Sequence, residues 1–406
     1  MSAIVAGTLL LTALILGLTL IVLTARRLLS PMLPMTITVN GHKEIATTTG
    51  QKLLGALNDN GVLIPSACAG AGTCGLCRVK VTEGGADPLP TETASLTRDE
   101  LRSGMHLACQ VVLRGDMGIE VPEGLLGARN FETLVRKTRH LTPLIREITL
   151  ELPEDMRPDI VAGSYVQVTA PPFKLDYADL TVPENHSEGW DQLRELSVSA
   201  HTETTRAYSI SNRPDDIAAG RIVLNIRIAL PPPSLPNVPP GVVSSWLFSL
   251  KEGDRVMTGG PFGSVHVQDT DAEMIFIGGG VGMAPLRAMI FEQLESVGTP
   301  RKMTYWYGAR NAGDLFYREE FDALAAQHPN FGWTLALSDP SCGDNWTGQT
   351  GFIHKVVFDR HLRDHPAPET CEYYLCGPPL MIQAVLSMLD DLGVPPRQIF
   401  NDDFGV

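Results

Sequence analysis

The stretch 68–77 reads CAGAGTCGLC and spaces three cysteines as C-x5-C-x2-C, and a fourth cysteine follows in the segment LACQ at 107–110. A [2Fe–2S] cluster requires four thiolates around two irons, and a tight loop can supply three of them while a later segment brings the fourth. Glycines between the cysteines let backbone amides turn toward the sulfurs, which helps to set the redox potential. The pattern therefore predicts a cluster bound by Cys68, Cys74, Cys77 and Cys109.

Zinc, or thiols without any metal, is the main alternative for these cysteines. Zinc sites usually combine two CxxC pairs or add nearby histidines. Cys109 has no CxxC partner, and the ten histidines show no spacing typical of metal ligands. The first gap is one residue longer than the plant-type C-x4-C. The segment 35–125 thus resembles a [2Fe–2S] ferredoxin domain, closer to the adrenodoxin type than to the plant type.

Composition limits the classes of protein that this chain can belong to. It has 406 residues, of which 44% are hydrophobic and 19% charged. These values are typical of folded protein, and the length predicts two to four modules. The formal net charge of −14 argues against nucleic-acid binding, which favours basic surfaces. Seven cysteines, four of them in one segment, favour a metal or cluster site over a disulfide scaffold.

The N-terminus carries an apolar run from residue 2 to residue 25, followed by Arg26 and Arg27. A helix that crosses the hydrocarbon core needs about 20 apolar residues, so the run predicts one transmembrane helix. Because the basic pair follows the run, the positive-inside rule puts the rest of the chain on the cytoplasmic side. A buried core helix and a cleaved signal peptide are the alternatives, but a signal peptide begins with its basic residues.

The order of strand and helix patterns predicts a multidomain α+β protein. Short strands separated by turns between 131 and 266 favour a small antiparallel barrel. Strands alternate with helices after residue 270, which favours a parallel sheet covered on both faces. The acidic stretch 172–204 interrupts the barrel pattern and is expected to be a functional or mobile loop. The predicted segments are a transmembrane helix and linker at 1–33, a β-grasp ferredoxin domain at 34–128, a flavin-binding barrel at 129–268 and a nucleotide-binding α/β domain at 269–406.

The segment 206–212 reads RAYSISN and resembles the R-x-Y-S-[ST] flavin motif of the ferredoxin–NADP reductase superfamily. Ile210 stands where many members have serine or threonine, so the match is partial. The resemblance implies that Arg206 neutralises the pyrophosphate of FAD, that Tyr208 lies on the isoalloxazine ring and that Ser209 reaches its N5 edge. An ordinary strand sequence is the alternative.

Farther along the chain, the segment GVVSS at 241–245 resembles the turn and helix start with which the same superfamily contacts phosphate. This resemblance implies that Ser244 and Ser245 contribute to binding of the flavin cofactor.

The segment 278–285 reads GGGVGMAP, after a predicted strand and before a predicted helix. Glycine at such a turn lets backbone amides approach nucleotide phosphates closely. Met283 occupies the third glycine position of GxGxxG, so the segment resembles the GxGxxP pattern of the reductase superfamily instead. The residues expected to hold the nucleotide are Gly278, Gly279, Gly280, Gly282 and Pro285, with Gly377 and Pro378 of a later turn.

That later turn, LCGPP at 375–379, contains Cys376. In the superfamily the turn places a cysteine beside the nicotinamide, which implies a catalytic role for Cys376 alongside Ser209. A small buried core residue is the alternative for this cysteine, and it is the expectation for Cys342 and Cys371.

The order of modules, together with WYGAR at 306–310, LSDP at 337–340, DNWTG at 344–348 and NDDFG at 401–405, resembles the F subunits of the sodium-translocating NADH:quinone oxidoreductases over essentially the whole chain. The resemblance implies FAD, a [2Fe–2S] cluster, NADH as substrate and partner subunits in the bacterial inner membrane. It also implies indirect electron delivery to ubiquinone, coupled to sodium transport. Phe404, the terminal aromatic residue, is implied to cover the flavin until nicotinamide displaces it.

The expected activity follows from cofactor chemistry. NADH gives two electrons as a hydride, whereas a [2Fe–2S] cluster takes one at a time, so a flavin must stand between them. The sequence thus predicts an NADH dehydrogenase subunit that passes single electrons to membrane partners. The alternative is a soluble reductase component of a multicomponent oxygenase, and the non-enzymatic alternative is a tethered iron–sulfur scaffold.

Overall fold

The computed structural model describes residues 2–29, 32–66, 68, 70–122, 125, 128–154, 156, 160–232, 234–235, 237–263, 265–341, 343 and 345–401. Contacts divide the chain into two compact units. The first unit comprises 1–64 and 70–127, and the second comprises 65–69 and 128–406.

Helix α1 (Ser2–Leu29) forms at the N-terminus, where the apolar run predicts a helix. Its large apolar side chains, such as Leu10 and Leu16, are exposed. Among the described residues, no helix combines the length and the apolar character that membrane crossing demands. The predicted helix is confirmed, but the predicted transmembrane span within 1–33 is not supported.

The first unit contains a five-stranded mixed sheet with a helix against its core. Its further elements are β1 (Pro34–Val39), β2 (Lys43–Thr48), α2 (Leu53–Asp59), β3 (Arg78–Glu83), α3 (Pro90–Thr93), α4 (Arg98–Arg102), β4 (Met105–Leu107) and β5 (Met117–Glu120). The strand order is β2-β1-β5-β3-β4, and only the central pair β1 and β5 is parallel. Alternate side chains of β1, such as Ile37 and Val39, join Leu53 and Leu57 in the core. This is the sheet-and-helix arrangement predicted for a ferredoxin domain.

The second unit begins with an antiparallel sheet. Its elements are β6 (Arg129–Thr142), β7 (Ile145–Glu151), β8 (Tyr165–Ala170), β9 (Phe173–Asp176), β10 (Ser197–Ala200), β11 (Thr204–Ser209), α5 (Pro214–Ala218), β12 (Arg221–Arg227), α6 (Val242–Ser249) and β13 (Arg255–Phe262). The six-stranded order is β11-β8-β13-β6-β7-β12. The edge strands β11 and β12 do not pair as a ladder among the described residues. Directly after β11, a bridge joins Ile210 to Leu224, and the Ser211 amide donates to the Val223 carbonyl at 2.8 Å. The predicted barrel is therefore a curled sheet that is half open on the β11 side.

The stretch 172–204 has more structure than its weak periodicity predicts. β9 and β10 pair as an antiparallel ribbon, and four short 3-10 turns connect them. Trp190 and Tyr177 are fully buried in the core of the antiparallel sheet, and the Trp190 indole donates a hydrogen bond to the Pro143 carbonyl at 2.8 Å. Two large aromatic side chains thus attach this segment to the sheet.

The remainder of the second unit is an all-parallel sheet between helices. Its elements are β14 (Met274–Gly279), α7 (Met283–Phe291), β15 (Met303–Ala309), α8 (Arg318–Gln327), β16 (Phe331–Leu337), β17 (Gln349–Thr350), α9 (Ile353–Val357), β18 (Glu372–Cys376), α10 (Pro379–Asp391) and β19 (Ile399–Asn401). π-Helical turns extend α7 through Glu292–Val297 and α9 through Phe358–Leu362. The strand order is β17-β16-β15-β14-β18-β19. The alternation of strands and helices after residue 270 is confirmed as a parallel sheet.

A polar network joins the antiparallel and parallel sheets inside the second unit. Glu147 of β7 accepts two hydrogen bonds from Arg139, at 2.6 and 2.9 Å, and one from the Tyr317 hydroxyl at 2.5 Å. The Arg287 guanidinium lies 4.4 Å from the centre of the Tyr317 ring. Burial favours the neutral acid, but the bonds from Arg139 and Tyr317 outweigh it and lower the pKa of Glu147. The carboxylate is therefore a charged link between the two sheets.

Candidate functional site

Three of the four predicted cluster ligands lie in the first unit. Cys74 is half-buried, and Cys77 and Cys109 are buried. A hydrogen bond between the latter two lowers the pKa of Cys109 to about 6 and raises that of Cys77. Cys68 belongs to the segment 65–69, which groups with the second unit. None of the six described cysteines is in a disulfide, so these thiols are in the reduced form that metal binding requires.

The loop around these cysteines has the backbone geometry that a cluster requires. Gly70, Gly72 and Gly75 have φ of 86, 80 and 65°, where residues with a Cβ are strained. The backbone of Gly72 also helps to lower the pKa of the Cys109 thiol. The side-chain amide of Gln110 donates to the same sulfur at 3.3 Å and to the Gly70 carbonyl at 3.1 Å. Converging thiols with N–H donors turned toward sulfur fit a [2Fe–2S] cluster.

The predicted flavin motif lies on β11, an edge strand whose six residues are all half-buried. The Tyr208 ring packs against the core of the antiparallel sheet. Arg206 donates through Nη1 to the Thr205 carbonyl at 2.8 Å. Ile210, the position that departs from the motif, is buried and forms the bridge to Leu224. A half-exposed edge with an aromatic ring and a guanidinium fits a planar cofactor with a diphosphate tail.

The hydroxyl groups of Ser244 and Ser245 are less accessible to a ligand than the motif implies. Both are buried in the first turns of α6, and both hydroxyls donate to the Gly241 carbonyl, at 3.1 and 2.6 Å. Ser244 also accepts a hydrogen bond from the Ala229 amide, and Ser245 bonds the Tyr177 hydroxyl. Because these hydroxyls have partners inside the protein, the backbone amides of α6 are better placed to contact phosphate.

A cavity of about 730 Å³ opens at the carboxyl ends of the parallel strands. This edge is where ligands bind in open parallel sheets. Residues of two predicted motifs line it, namely Gly279 and Gly280 of the glycine loop and Pro378 of the later turn. Gly278, Gly282, Pro285, Cys376 and Gly377 lie beside the cavity rather than on its wall.

Packing explains why several of these residues are glycines. A Cβ on Gly282 would lie 2.1 Å from the Cys376 carbonyl oxygen, and a Cβ on Gly278 would lie 2.8 Å from Leu286. Gly280 differs, because it has φ of 56° and a Cβ added there would have open space around it. The nearest atom to that Cβ would be Nη1 of Arg227, at 3.9 Å. Gly280 therefore presents open backbone beside a cation, which suits a phosphate group.

Sequence reasoning missed several residues at this cavity. Arg227 ends β12 and lines the cavity together with Phe352, an aromatic residue that is 62% exposed. The Tyr307 hydroxyl donates to the Gly280 carbonyl at 3.1 Å and holds the loop. Arg227 lies about fifty positions before the glycine loop, and no local motif marks it. Tyr307 belongs to the segment 306–310, to which only the family resemblance draws attention.

Cys376 ends β18 and is 7% exposed, adjacent to Pro378 on the cavity wall. The expectation that it contacts nicotinamide is not tested by this geometry. Phe404 and Cys342 lie outside the described residues. The last strand, β19, ends nearby at Asn401, and its Phe400 ring stacks on Tyr374 with centroids 5.1 Å apart.

Comparison with known proteins identifies the family. The chain is 48% identical to the F subunit of the Na(+)-translocating NADH-quinone reductase of Neisseria meningitidis over 404 residues, which cover 99% of each chain. It is 46% identical to the same protein of Klebsiella pneumoniae, again over 99% of each chain.

The chain belongs to the family of F subunits of Na(+)-translocating NADH-quinone reductases. The family resemblance of the sequence is thereby confirmed. The members of this family are oxidoreductases. Two further family descriptions match parts of the chain: the 2Fe-2S iron-sulfur cluster binding domain over residues 37–114 and the oxidoreductase NAD-binding domain over residues 276–387. The first match contains all four predicted cluster cysteines, and the second contains the glycine loop and Cys376.

Solved structures share the fold of this member of the family. A cytochrome reductase of Amycolatopsis, GcoB, matches with a TM-score of 0.64 and 26% identity over 91% of this chain and 98% of its own. The ferredoxin reductase in carbazole 1,9a-dioxygenase matches with a TM-score of 0.59 and 24% identity over 92% and 98%. At this level of identity, the second likeness shows the fold alone.

Proposed function

We propose that this chain is the NADH-oxidising, electron-input subunit of a sodium-translocating NADH:quinone oxidoreductase. The observation that carries the proposal is the cavity at the carboxyl edge of the parallel sheet, where Gly280 and Arg227 offer a phosphate site, in a chain that also carries Cys74 and Cys77 beside left-handed glycines. When bound, the flavin supplies hydride acceptance and single-electron donation, and the [2Fe–2S] cluster supplies single-electron transfer.

The chain's own residues have separate tasks in this proposal. Cys68, Cys74, Cys77 and Cys109 ligate the iron, and the side-chain amide of Gln110 donates to the Cys109 sulfur. Such donors stabilise the more negatively charged cluster and so raise its reduction potential. The task of this loop is to tune and hold the one-electron centre.

Arg206 binds the pyrophosphate of FAD, Tyr208 supports the ring system and Ser209 contacts the edge at which hydride arrives. The half-buried exposure of β11 supports these roles, since its side chains remain reachable. Ser244 and Ser245 contribute by shaping the first turn of α6, whose amides face the phosphate.

NADH occupies the cavity, with its diphosphate at Gly280 and Arg227 and its adenine against the exposed Phe352 ring. The nicotinamide then points toward Cys376 and Pro378 at the end of β18. Gly278, Gly279, Gly282, Pro285 and Gly377 keep the backbone of the two turns close together.

We further propose that α1 holds the chain at the bacterial inner membrane, with the cofactor-binding units on the cytoplasmic side and the other subunits of the complex as partners. The exposed leucines of α1 and the Arg26–Arg27 pair that follows its apolar stretch support this attachment. Electrons then pass through those partners to ubiquinone, and sodium transport is coupled elsewhere in the complex.

The test of the catalytic proposal uses the purified full-length chain. NADH oxidation with ferricyanide as acceptor is expected, with one FAD and two irons per chain, and quinone reduction is expected only in the assembled complex. Arg206→Ala is expected to purify pale and to regain activity with added FAD, because a charged hydrogen bond is worth about 1.5–3 kcal/mol, or tenfold or more in affinity. Ser209→Ala is expected to keep its FAD and to be reduced slowly by NADH. A chain that binds FAD but does not oxidise NADH contradicts the proposal.

The test of the membrane proposal is a deletion of 1–26. The truncated chain is expected to keep FAD, iron and NADH oxidation but to leave the membrane fraction. Persistence of the truncated chain on salt-washed membranes contradicts a role of α1 in attachment.

A further inference from the structure

A cluster of ligand-type side chains lies at the amino ends of two parallel strands, away from the cavity. Glu273 directly precedes β14, and Cys371 directly precedes β18. The two strands are hydrogen-bonded neighbours, and the Glu372 amide donates to the Glu273 carbonyl at 2.9 Å. The strand starts therefore lie side by side. The nucleotide cavity is at the opposite ends of these strands, about 20 Å away at 3.3 Å per residue.

Two histidines complete the cluster from the segment after α9. His361 and His365 are four residues apart, and their rings lie 5.4 Å from each other. Residues with this spacing share one face of a helical turn. Sequence reasoning saw no ligand spacing among the histidines because the thiol partner is six positions beyond His365 and the acidic partner about ninety positions before it.

The distances within the cluster match a tetrahedral metal shell. His365 Nε2 lies 3.3 Å from Glu273 Oε2 and 3.7 Å from Cys371 Sγ. These three ligand atoms all lie within 4.8 Å of one another. Zinc bond lengths place nitrogen and oxygen ligands about 3.3 Å apart and nitrogen and sulfur ligands about 3.6 Å apart. The protein thus holds one donor of each kind at the spacing that a bound cation imposes.

His361 occupies the other side of the same carboxylate. Its Nε2 lies 2.9 Å from Glu273 Oε1. In this position it orients the carboxylate, or becomes the fourth ligand after a small rotation. The side chains are shielded, with exposures of 14% for Glu273 and 11% for His365, and Cys371 is 1% exposed. The shielding favours a stable structural site over a transient surface contact.

One cation already competes for the carboxylate. Lys302 Nζ lies 3.1 Å from Glu273, but its side chain is 59% exposed. A flexible, solvated ammonium group can turn into water with little cost when a divalent ion takes its place. Without a metal, the same residues form an ion-pair network. A metal site and an ion-pair network make opposite predictions for the thermal stability of a variant that lacks the Lys302 ammonium group.

We propose that Glu273, His365 and Cys371, with His361 as orienting or fourth residue, bind a divalent cation that prefers tetrahedral N, O and S ligands, as zinc does. The ion links the starts of β14 and β18 to the segment after α9. The thiol of Cys371 loses its proton to solvent when the ion binds, because only the thiolate is a ligand. This site does not depend on the proposed NADH oxidation.

The test is equilibrium dialysis of the full-length holoprotein against zinc chloride, with zinc and iron counted in the same samples by mass spectrometry. One zinc per chain is expected, with the iron content unchanged. Cys371→Ser, His365→Gln and Glu273→Gln are each expected to weaken binding at least tenfold. His201→Gln, at an exposed histidine directly after β10, is the matched control and is expected to bind as the parent does.

Lys302→Met keeps the proposal testable if a buried variant fails to fold. Removal of the competing ammonium group is expected to tighten zinc binding several-fold and to raise the midpoint of thermal unfolding in zinc. An ion-pair network without a metal role predicts the reverse, a lower midpoint and no zinc binding. Absence of stoichiometric zinc in both the parent and Lys302→Met overturns the proposal, as does equal zinc binding by the parent and Cys371→Ser.

Discussion

The cysteine loop and the nucleotide loop are both rich in glycine, but their glycines are required for different reasons. In the cysteine loop, Gly70 has φ of 86° and its nearest neighbour for a Cβ is 3.9 Å away. In the nucleotide loop, Gly282 has an ordinary φ, but a Cβ there would lie 2.1 Å from the Cys376 carbonyl oxygen. Gly70 is therefore required for backbone conformation, and Gly282 is required for space.

This difference separates the tasks of the two regions. A loop shaped by left-handed glycines turns its amides toward a small, compact group of sulfurs. A loop shaped by close packing brings two chain turns together at a sheet edge, so that a long ligand finds a continuous backbone surface. The distinction can be tested, because asparagine tolerates a left-handed conformation but occupies more space than alanine.

The largest effect is expected for Gly282→Ala. The added methyl group collides with backbone atoms of 376–377, which cannot rotate away, so we expect a loss of about 3 kcal/mol or more of unfolding free energy. Thermal unfolding and NADH:ferricyanide activity measure it. Gly332→Ala is the control, since a Cβ on Gly332 meets nothing within 4 Å. Equal stability of the two variants would remove the packing explanation.

Arg227→Ala is expected to have the next largest effect. Loss of a charged contact to the diphosphate costs about 1.5–3 kcal/mol, which is tenfold to about a hundredfold in the KM for NADH. The FAD and iron contents are expected to stay at the parental level. Arg397→Ala, an exposed arginine of the same unit, serves as control. An unchanged KM in Arg227→Ala would move the phosphate site away from Gly280.

Gly70→Ala is expected to have a moderate effect. An alanine at φ of 86° costs about 1–2 kcal/mol, although there is room for its Cβ. We expect faster loss of iron on heating, with FAD retained. Gly70→Asn is expected to restore part of the cluster stability, whereas asparagine at position 282 is expected to restore nothing. If asparagine restored stability at both position 70 and position 282, or at neither, the two glycines would not differ in the way described.

The smallest effect concerns pH and the link between the two sheets. The lowered pKa of Glu147 means that its carboxylate stabilises the folded state above its unfolded pKa, about 4.3 for glutamate. This stabilisation is lost as the pH falls below that value and through the folded pKa. We expect Glu147→Gln to unfold at a lower temperature than the parent at pH 7. The difference in unfolding temperature is expected to narrow as the pH falls from about 5 through the folded pKa of Glu147. A constant difference would mean that the charge of Glu147 is unimportant.

The sequence by itself determined the order of the modules and the chemistry of the cluster loop. Local patterns sufficed there, because the cysteine ligands of 68–77 lie close together in the chain, and strand and helix periodicity depends on near neighbours. The strands predicted between 131 and 266 and the parallel sheet after 270 were confirmed for the same reason. The ordered structure of 172–204 was not predicted from the sequence. Its two anchoring residues, Tyr177 and Trp190, are single buried side chains that belong to no periodic hydrophobic pattern.

Only the tertiary structure decided which distant residues meet. Arg227 reaches Gly280 across about fifty positions, and Glu273 reaches His365 and Cys371 across about a hundred. Tertiary packing also assigned the hydroxyls of Ser244 and Ser245 to bonds within the protein, which their motif could not reveal. Glu273 and Cys371 meet because β14 and β18 are parallel neighbours, which brings their starts together regardless of distance along the chain. Arg227 meets Gly280 because β12 ends at the same cavity as β14.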